Sequence, residues 1–98
     1  MAYVVIARWT AREGEQDRAR ALLVELAKLT RAEPGCRLFQ PTVDADDARE
    51  MTILEIYDDE AAFLAHGDSA HFKRYVLDEG VPLLEQRTRT LLRTIDVD

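Results

Sequence analysis

The 98-residue chain carries a net charge of −6, with 47% hydrophobic and 33% charged residues, which describes one globular domain over residues 1–98 and excludes the disordered class. The acidic balance excludes nonspecific binding to nucleic acid or to an anionic membrane surface, both of which need a cationic face. A lone cysteine, Cys36, has no internal partner for a disulfide. The amino terminus lacks a basic region followed by a long apolar run, so a cytoplasmic location is expected.

The stretch "YVVIARWTA" (residues 3–11) is rich in β-formers and predicts a first strand. After Gly14, "EQDRARALLVELAKLTR" places Ala19, Leu22, Leu23, Leu26 and Thr30 on one helical stripe, with acids at its start and bases at its end, as the helix dipole favours. "EPG" (33–35) stops this helix, and "CRLFQPTV" (36–43) predicts a second strand. Pro41 cannot donate to a ladder, so that strand belongs at a sheet edge. "DADDAR" (44–49) has hairpin-loop length, and "EMTILEIYD" (50–58) predicts a third strand. A short helix over 59–67 is expected to end with Gly67 just past its last turn. Ser69 is placed to cap a second helical piece, "AHFKRYVLDE". Pro82 suits the first position of a further helical turn, "PLLEQ", before a last strand over 87–97.

The order β-α-β-β-α-β predicts an α+β, ferredoxin-like antiparallel sheet. Strands 1 and 3 lie at its centre and both helical regions on one face. Strands 1 and 3 are apolar on both sides: Val4 and Ile6 oppose Val5, Ala7 and Trp9, while Leu54 and Ile56 oppose Ile53 and Tyr57. A sheet half-open to water should alternate apolar with polar residues. The uncovered face therefore predicts a second copy packed sheet against sheet, a homodimer.

The chemistry-bearing residues are few. His66 and His71, five apart, would lie about 140° apart on a continuous helix, and no metal-ligand spacing, phosphate loop or dinucleotide fingerprint is present. No metal, haem, flavin or nucleotide cofactor is expected. Cys36 reads as a small buried residue at a strand start. Glu55, inside the apolar run "TILEIY", must either pair with an arginine, for which Arg8 on the neighbouring strand is a candidate, or line a cavity. In the cavity case a raised pKa could make it a general base. His66, at the end of a helix, reads either as a cation at the helix dipole's negative pole or as a pocket residue. His71, in the first turn of the next helix, is expected to be neutral. Phe63, Phe72 and Tyr75 surround the two histidines in sequence, and a gap over the sheet at this helix break would make a small-molecule pocket.

Taken together, "EPGCRLFQ", "ILEIYDDEAAFLAH" and "SAHFKRY" resemble the antibiotic biosynthesis monooxygenase family, from Tyr3 to Val97. The resemblance implies a dimeric α/β barrel with a pocket between sheet and helices, and oxygenation of phenolic or quinol-type aromatics without metal or flavin. One branch of the family degrades haem. Its strand-1 asparagine, pocket tryptophan and iron-binding histidine fall at Ala7, His66 and Val76, and all three differ, so haem chemistry is disfavoured. The expected reaction is a cofactor-independent oxidation of a small aromatic substrate by dioxygen. His66 or His71 would act as base, Glu55 or Tyr75 would orient it, and Trp9, Phe39, Phe63 and Phe72 would form aromatic walls. The alternative is a non-oxidative isomerase or decarboxylase, or a catalytically silent binding dimer on the same fold.

Overall fold

A computed structural model describes residues 1–97. The elements are β1 (Tyr3–Ala11), α1 (Gln16–Thr30), β2 (Cys36–Val43), β3 (Glu50–Tyr57), α2 (Glu60–Gly67), α3 (Ala70–Phe72, continuing as a π-helix over Lys73–Asp78), a 3₁₀ turn (Val81–Leu83) and β4 (Leu84–Arg93). The sheet is antiparallel in the order β2-β3-β1-β4. This is the βαββαβ arrangement the sequence predicts, with Pro41 on the edge strand β2, where a missing N–H costs no ladder bond.

Register decides which residues share a face. On the helix-covered face, Phe39, Glu55, Val5 and Leu91 form one row across the four strands; Pro41, Ile53, Ala7 and Arg89 form the next. α1 closes over this face with Ala19, Leu23, Leu26, Ala27 and Thr30 buried, while Leu22 stays at the margin. On the opposite face Leu38, Ile56, Val4 and Leu92 form a row, flanked by Leu54 and Ile6. Leu38, Leu54 and Leu92 are each about 40% exposed. No element of the described residues lies over them.

Three expectations for the second half are corrected. Gly67 does not end α2 in a left-handed cap: it is the last α2 residue, and Gly14 alone has positive φ among the described residues. The Ser69 N–H and hydroxyl both donate to the His66 carbonyl (3.1 and 2.6 Å), so no left-handed cap is needed to satisfy it. Ser69 also caps α3 by accepting from the Phe72 N–H. Beyond Phe72 the helix widens to π geometry, with the Glu79 N–H donating to the Arg74 carbonyl, and Phe72, Val76 and Leu77 all border the space over the sheet. Finally, "PLLEQ" is not a helical turn. Pro82 sits in the short 3₁₀ turn, but Leu84 and Gln86 are already paired with Ala11 and Thr10 of β1, and the strand ends at Arg93. Ladder hydrogen bonds to a central strand outweigh the weak local preference.

Gly80 shows how tightly this turn is packed. A Cβ there would stand 2.7 and 2.8 Å from the Tyr75 and Val76 carbonyl oxygens and 3.1 Å from the Trp9 ring. Backbone on one side and a buried indole on the other leave little room to yield. Gly80→Ala should therefore destabilise the fold by about 1–3 kcal/mol, a fall in Tm of roughly 4–8 °C for each kcal/mol. Thermal unfolding followed by circular dichroism checks this, and an unchanged Tm would mean that the turn relaxes freely.

Candidate functional site

Between the helix-covered face of the sheet and α1, α2 and α3 lies a cavity of about 360 Å³. Val5, Ala7, Trp9 and Ile53 form its floor, while Leu23, Leu26, Phe63, Phe72 and Val76 descend from the helices. Its polar groups are Glu55, His66, Thr88, Arg87 and Arg89. A mainly apolar chamber with a few convergent polar groups is the usual form of a small-molecule site.

His66 is only 3% exposed and stands in an aromatic box. Its ring centroid lies 5.2 Å from Phe72, 5.4 Å from Tyr57 and 5.8 Å from Phe39. Its Nδ1 lies 2.8 Å from Glu33 Oε2. A carboxylate oxygen accepts, so Nδ1 carries the proton and Nε2 the lone pair. The only side-chain hydrogen bond of His66 among the described residues is the one through Nδ1, and the residue lines the cavity. Burial lowers the His66 pKa below its ordinary value, with the Glu33 hydrogen bond and charge opposing. Burial thus favours the neutral imidazole over the helix-end cation that sequence allows.

The same Glu33 oxygen accepts from His71 Nε2 at 2.5 Å. The two histidines therefore meet, with ring centroids 6.0 Å apart, although helical spacing predicts divergent faces. The turn through Gly67, Asp68 and Ser69 breaks the helix and brings His71 back toward His66. Gly35 makes the meeting possible from the other side. A Cβ there would come within 2.5 Å of Ala62 Cβ, so only glycine lets α2 pack against the 33–35 turn and hold Glu33 in reach. The three donor atoms of Glu33, His66 and His71 all lie within 4.8 Å of one another.

Glu55 is 7% exposed and takes a 2.6 Å hydrogen bond from the Tyr57 hydroxyl. Pairing with Arg8 is ruled out by register, since Arg8 is exposed on the opposite face and lies across from Thr52. Desolvation pushes the Glu55 pKa up from 4.5 to about 7, against the lowering effects of the Tyr57 hydrogen bond and of Arg87 and Arg89. Burial and the Glu55 charge likewise raise the Tyr57 phenol, which stays a donor. The two arginines lie over aromatic rings, Arg87 5.7 Å from the Phe72 centroid and Arg89 5.4 Å from Phe63.

Of the residues singled out from sequence, Glu55, His66, Trp9, Phe39, Phe63 and Phe72 border the cavity, as do Ala7 and Val76. His71 does not; it acts on Glu33 from behind His66. Tyr75 packs against the main core with the Arg74 guanidinium 4.7 Å from its ring centroid, and is absent from the cavity lining. Cys36 is half-buried and free, its pKa raised by burial and then by Glu33, so it is no ready thiolate. Sequence reasoning passed over Glu33, Tyr57, Arg87 and Arg89. The alternation "RTRT" was a usable signal for the arginines, because period two puts Arg87 and Arg89 on one face.

Residues 2–77 match the antibiotic biosynthesis monooxygenase family. The chain belongs to that family. It is 33% identical to Rv0793 of Mycobacterium tuberculosis, a protein whose own naming as a monooxygenase is provisional, over 94% of this chain and 90% of that one. The Rv0793 structure superposes with a TM-score of 0.89, covering 99% of this chain and 98% of its own. The crystal structure of another antibiotic biosynthesis monooxygenase gives 0.89 at 28% identity, covering 96% of this chain and 99% of its own. PA3566 of Pseudomonas aeruginosa gives 0.90 at 26% identity, covering 97% and 95%. As a family member the chain is monooxygenase-like in general character. Among the described residues no helix is long and apolar enough to cross a membrane.

The shifted Glu55 couples folding to pH. Its folded pKa of about 7 lies above the ordinary 4.5, so its contribution is fully present below pH 4.5 and is lost as pH rises through 7. The shift corresponds to about 3 kcal/mol. Relative to Glu55→Gln, the wild-type protein should lose up to about that amount between roughly pH 4 and pH 8. Urea unfolding of both proteins at the two ends of this range decides the matter; parallel pH dependences would show that Glu55 does not titrate there.

Proposed function

We propose that the protein is a cofactor-independent monooxygenase acting on a small phenolic or quinol-type aromatic with dioxygen. The observation that carries this reading is the His66 imidazole, with Nδ1 held by Glu33 and Nε2 left free at an aromatic-walled cavity. A neutral, oriented imidazole is suited to take a phenolic proton. The resulting electron-rich anion passes one electron to dioxygen, and the radical pair combines to a hydroperoxide. Loss of water leaves a carbonyl, so one oxygen atom enters the product and the other leaves as water. All the electrons come from the substrate. Trp9, Phe39, Phe63 and Phe72 would hold the ring and keep water out. Arg87 and Arg89 supply positive charge where phenolate and peroxide charge develops, and Glu55, held by Tyr57, provides a second proton-exchanging group.

The working form in this reading is a homodimer joined through the open sheet face. The Leu38–Ile56–Val4–Leu92 row, with Leu54 and Ile6 beside it, is what supports this. Burying such a face is worth about 25 cal/mol per Å² before the costs of association. Sedimentation should give twice the 11.2 kDa chain mass, and Leu54→Lys should shift the protein toward monomer. A stable wild-type monomer at micromolar concentration would remove this element of the proposal.

Oxygen uptake against a panel of hydroquinones and naphthols tests the activity, with product identification separating oxygenation from isomerisation or decarboxylation. His66→Ala should lower kcat by about 10²–10⁴-fold, the usual worth of a positioned base, with circular dichroism unchanged. Full activity in His66→Ala would move the role of base to Glu55, and no uptake by wild type on any member of the panel would count against the oxygenase reading.

A further inference from the structure

We infer that Glu33, His66 and His71 form a zinc-class divalent cation site behind the cavity, and that its occupation blocks the base function of His66. The donor set is two imidazole nitrogens and one carboxylate oxygen, which suits zinc and disfavours magnesium or calcium, whose ligands are oxygen. The separations are close to what coordination needs. Nδ1 of His66 and Nε2 of His71 lie 2.8 and 2.5 Å from Glu33 Oε2, and all three atoms fall within 4.8 Å of one another. Tetrahedral zinc with bonds near 2.0–2.2 Å holds its ligand atoms about 3.3–3.5 Å apart. Retreat of the Glu33 side chain by about an ångström, with the two imidazole nitrogens, which lie within 4.8 Å of each other, settling to the same spacing, therefore opens room for the ion.

The surroundings supply both rigidity and access. His66 is buried and sits on α2, and His71 is fixed in the first turn of α3 by the Ser69 cap. Glu33, on the turn after α1, is the adjustable member. A surface crevice lined by Glu33, Gly35, Ala62 and Ser69 reaches the carboxylate from outside, away from the cavity. A hydrated ion can thus arrive without passing the aromatic chamber, and a water from the crevice can complete the four ligands.

Coordination has a consequence for His66. Metal at Nδ1 displaces the proton now shared with Glu33, and the neutral ring can then keep a hydrogen only at Nε2. The cavity-facing lone pair becomes a donor. The effect on turnover rests on the proposed role of His66, whereas the binding itself does not.

The test uses EDTA-treated protein and two ions, zinc in equilibrium dialysis and cobalt in visible absorption. One zinc per chain and the intense d–d bands of tetrahedral cobalt are expected. His71→Ala and Glu33→Gln, each checked for native circular dichroism, should weaken binding at least about tenfold, the lower end of the cost even of losing an outer partner. Cys36→Ser should bind as wild type does. Long-range ¹⁵N–¹H spectra should show the His66 proton moving from Nδ1 to Nε2 on zinc addition. Where oxygen uptake is measurable, zinc should suppress it in wild type, and His71→Ala should be less sensitive at whatever rate it retains. Binding no tighter in wild type than in His71→Ala, dependence on Cys36, or a His66 proton that stays on Nδ1 would each overturn the proposal. If no substrate of the panel is oxidised, the oxygenase reading fails while dialysis and spectra still score the site.

Discussion

One carboxylate oxygen organises the functional end of this molecule. Glu33 Oε2 accepts from His66 on α2 and from His71 on α3, and so links the end of α1 to both helices that roof the cavity. A charged acceptor makes each of these bonds stronger than a neutral pair would. Their partly buried position limits competition from water. The bond to His66 also selects its tautomer, so the same contact that sets the roof geometry decides which nitrogen keeps its lone pair. Gly35 and the break at Gly67–Ser69 are best understood as what this contact requires of the backbone: a close approach on one side and a change of direction on the other.

Around that contact the cavity separates its charges. Burial lowers the His66 pKa and raises that of Glu55 to about 7, and both shifts favour the neutral form. Arg87 and Arg89 sit at the β4 rim, each over an aromatic ring face. The chamber therefore sets a neutral imidazole and a carboxyl that exchanges its proton near pH 7 beside two guanidinium groups, an arrangement suited to a ligand that becomes anionic after binding. The family's fold leaves the chemistry open; these few groups on its inner surface narrow it. The open sheet face has a different character, with apolar rows through Ile56 and Val4 and through Leu54 and Ile6, and it contributes nothing to the chamber.

Much of the architecture was legible in the chain. The period of two along "YVVIARWTA" and "EMTILEIY" assigns residues to the two sheet faces, both of them apolar, and the 3.6-residue stripe from Ala19 to Thr30 gives the buried side of α1. Pro41 announces an edge strand, and Ser69 announces a helix start. Each is a matter of local sterics or of a hydrogen bond between near neighbours, so the pattern is written within a few residues. The same locality explains why six of the eight residues picked out for the site border the cavity: they are the apolar or polar positions on faces already assigned.

What local pattern could not supply depends on residues far apart in the chain. Leu84 to Gln86 joined β4 because β1 offered ladder partners some 70 positions away. Glu55 lost its expected partner because the β1–β3 register sets Val5 across from it and Arg8 on the other side of the sheet, which left Tyr57, two residues along the same strand, to donate to it. The histidine pair shows the limit most clearly. Helical spacing sends His66 and His71 apart, and nothing near them in sequence announces Glu33, which lies 33 and 38 positions away. The amino-acid order determined the elements, their faces and the aromatic character of the site. Packing alone brought Glu33 between the two histidines, since the free energy of a buried charged hydrogen bond depends on three-dimensional approach and leaves no local periodicity to read.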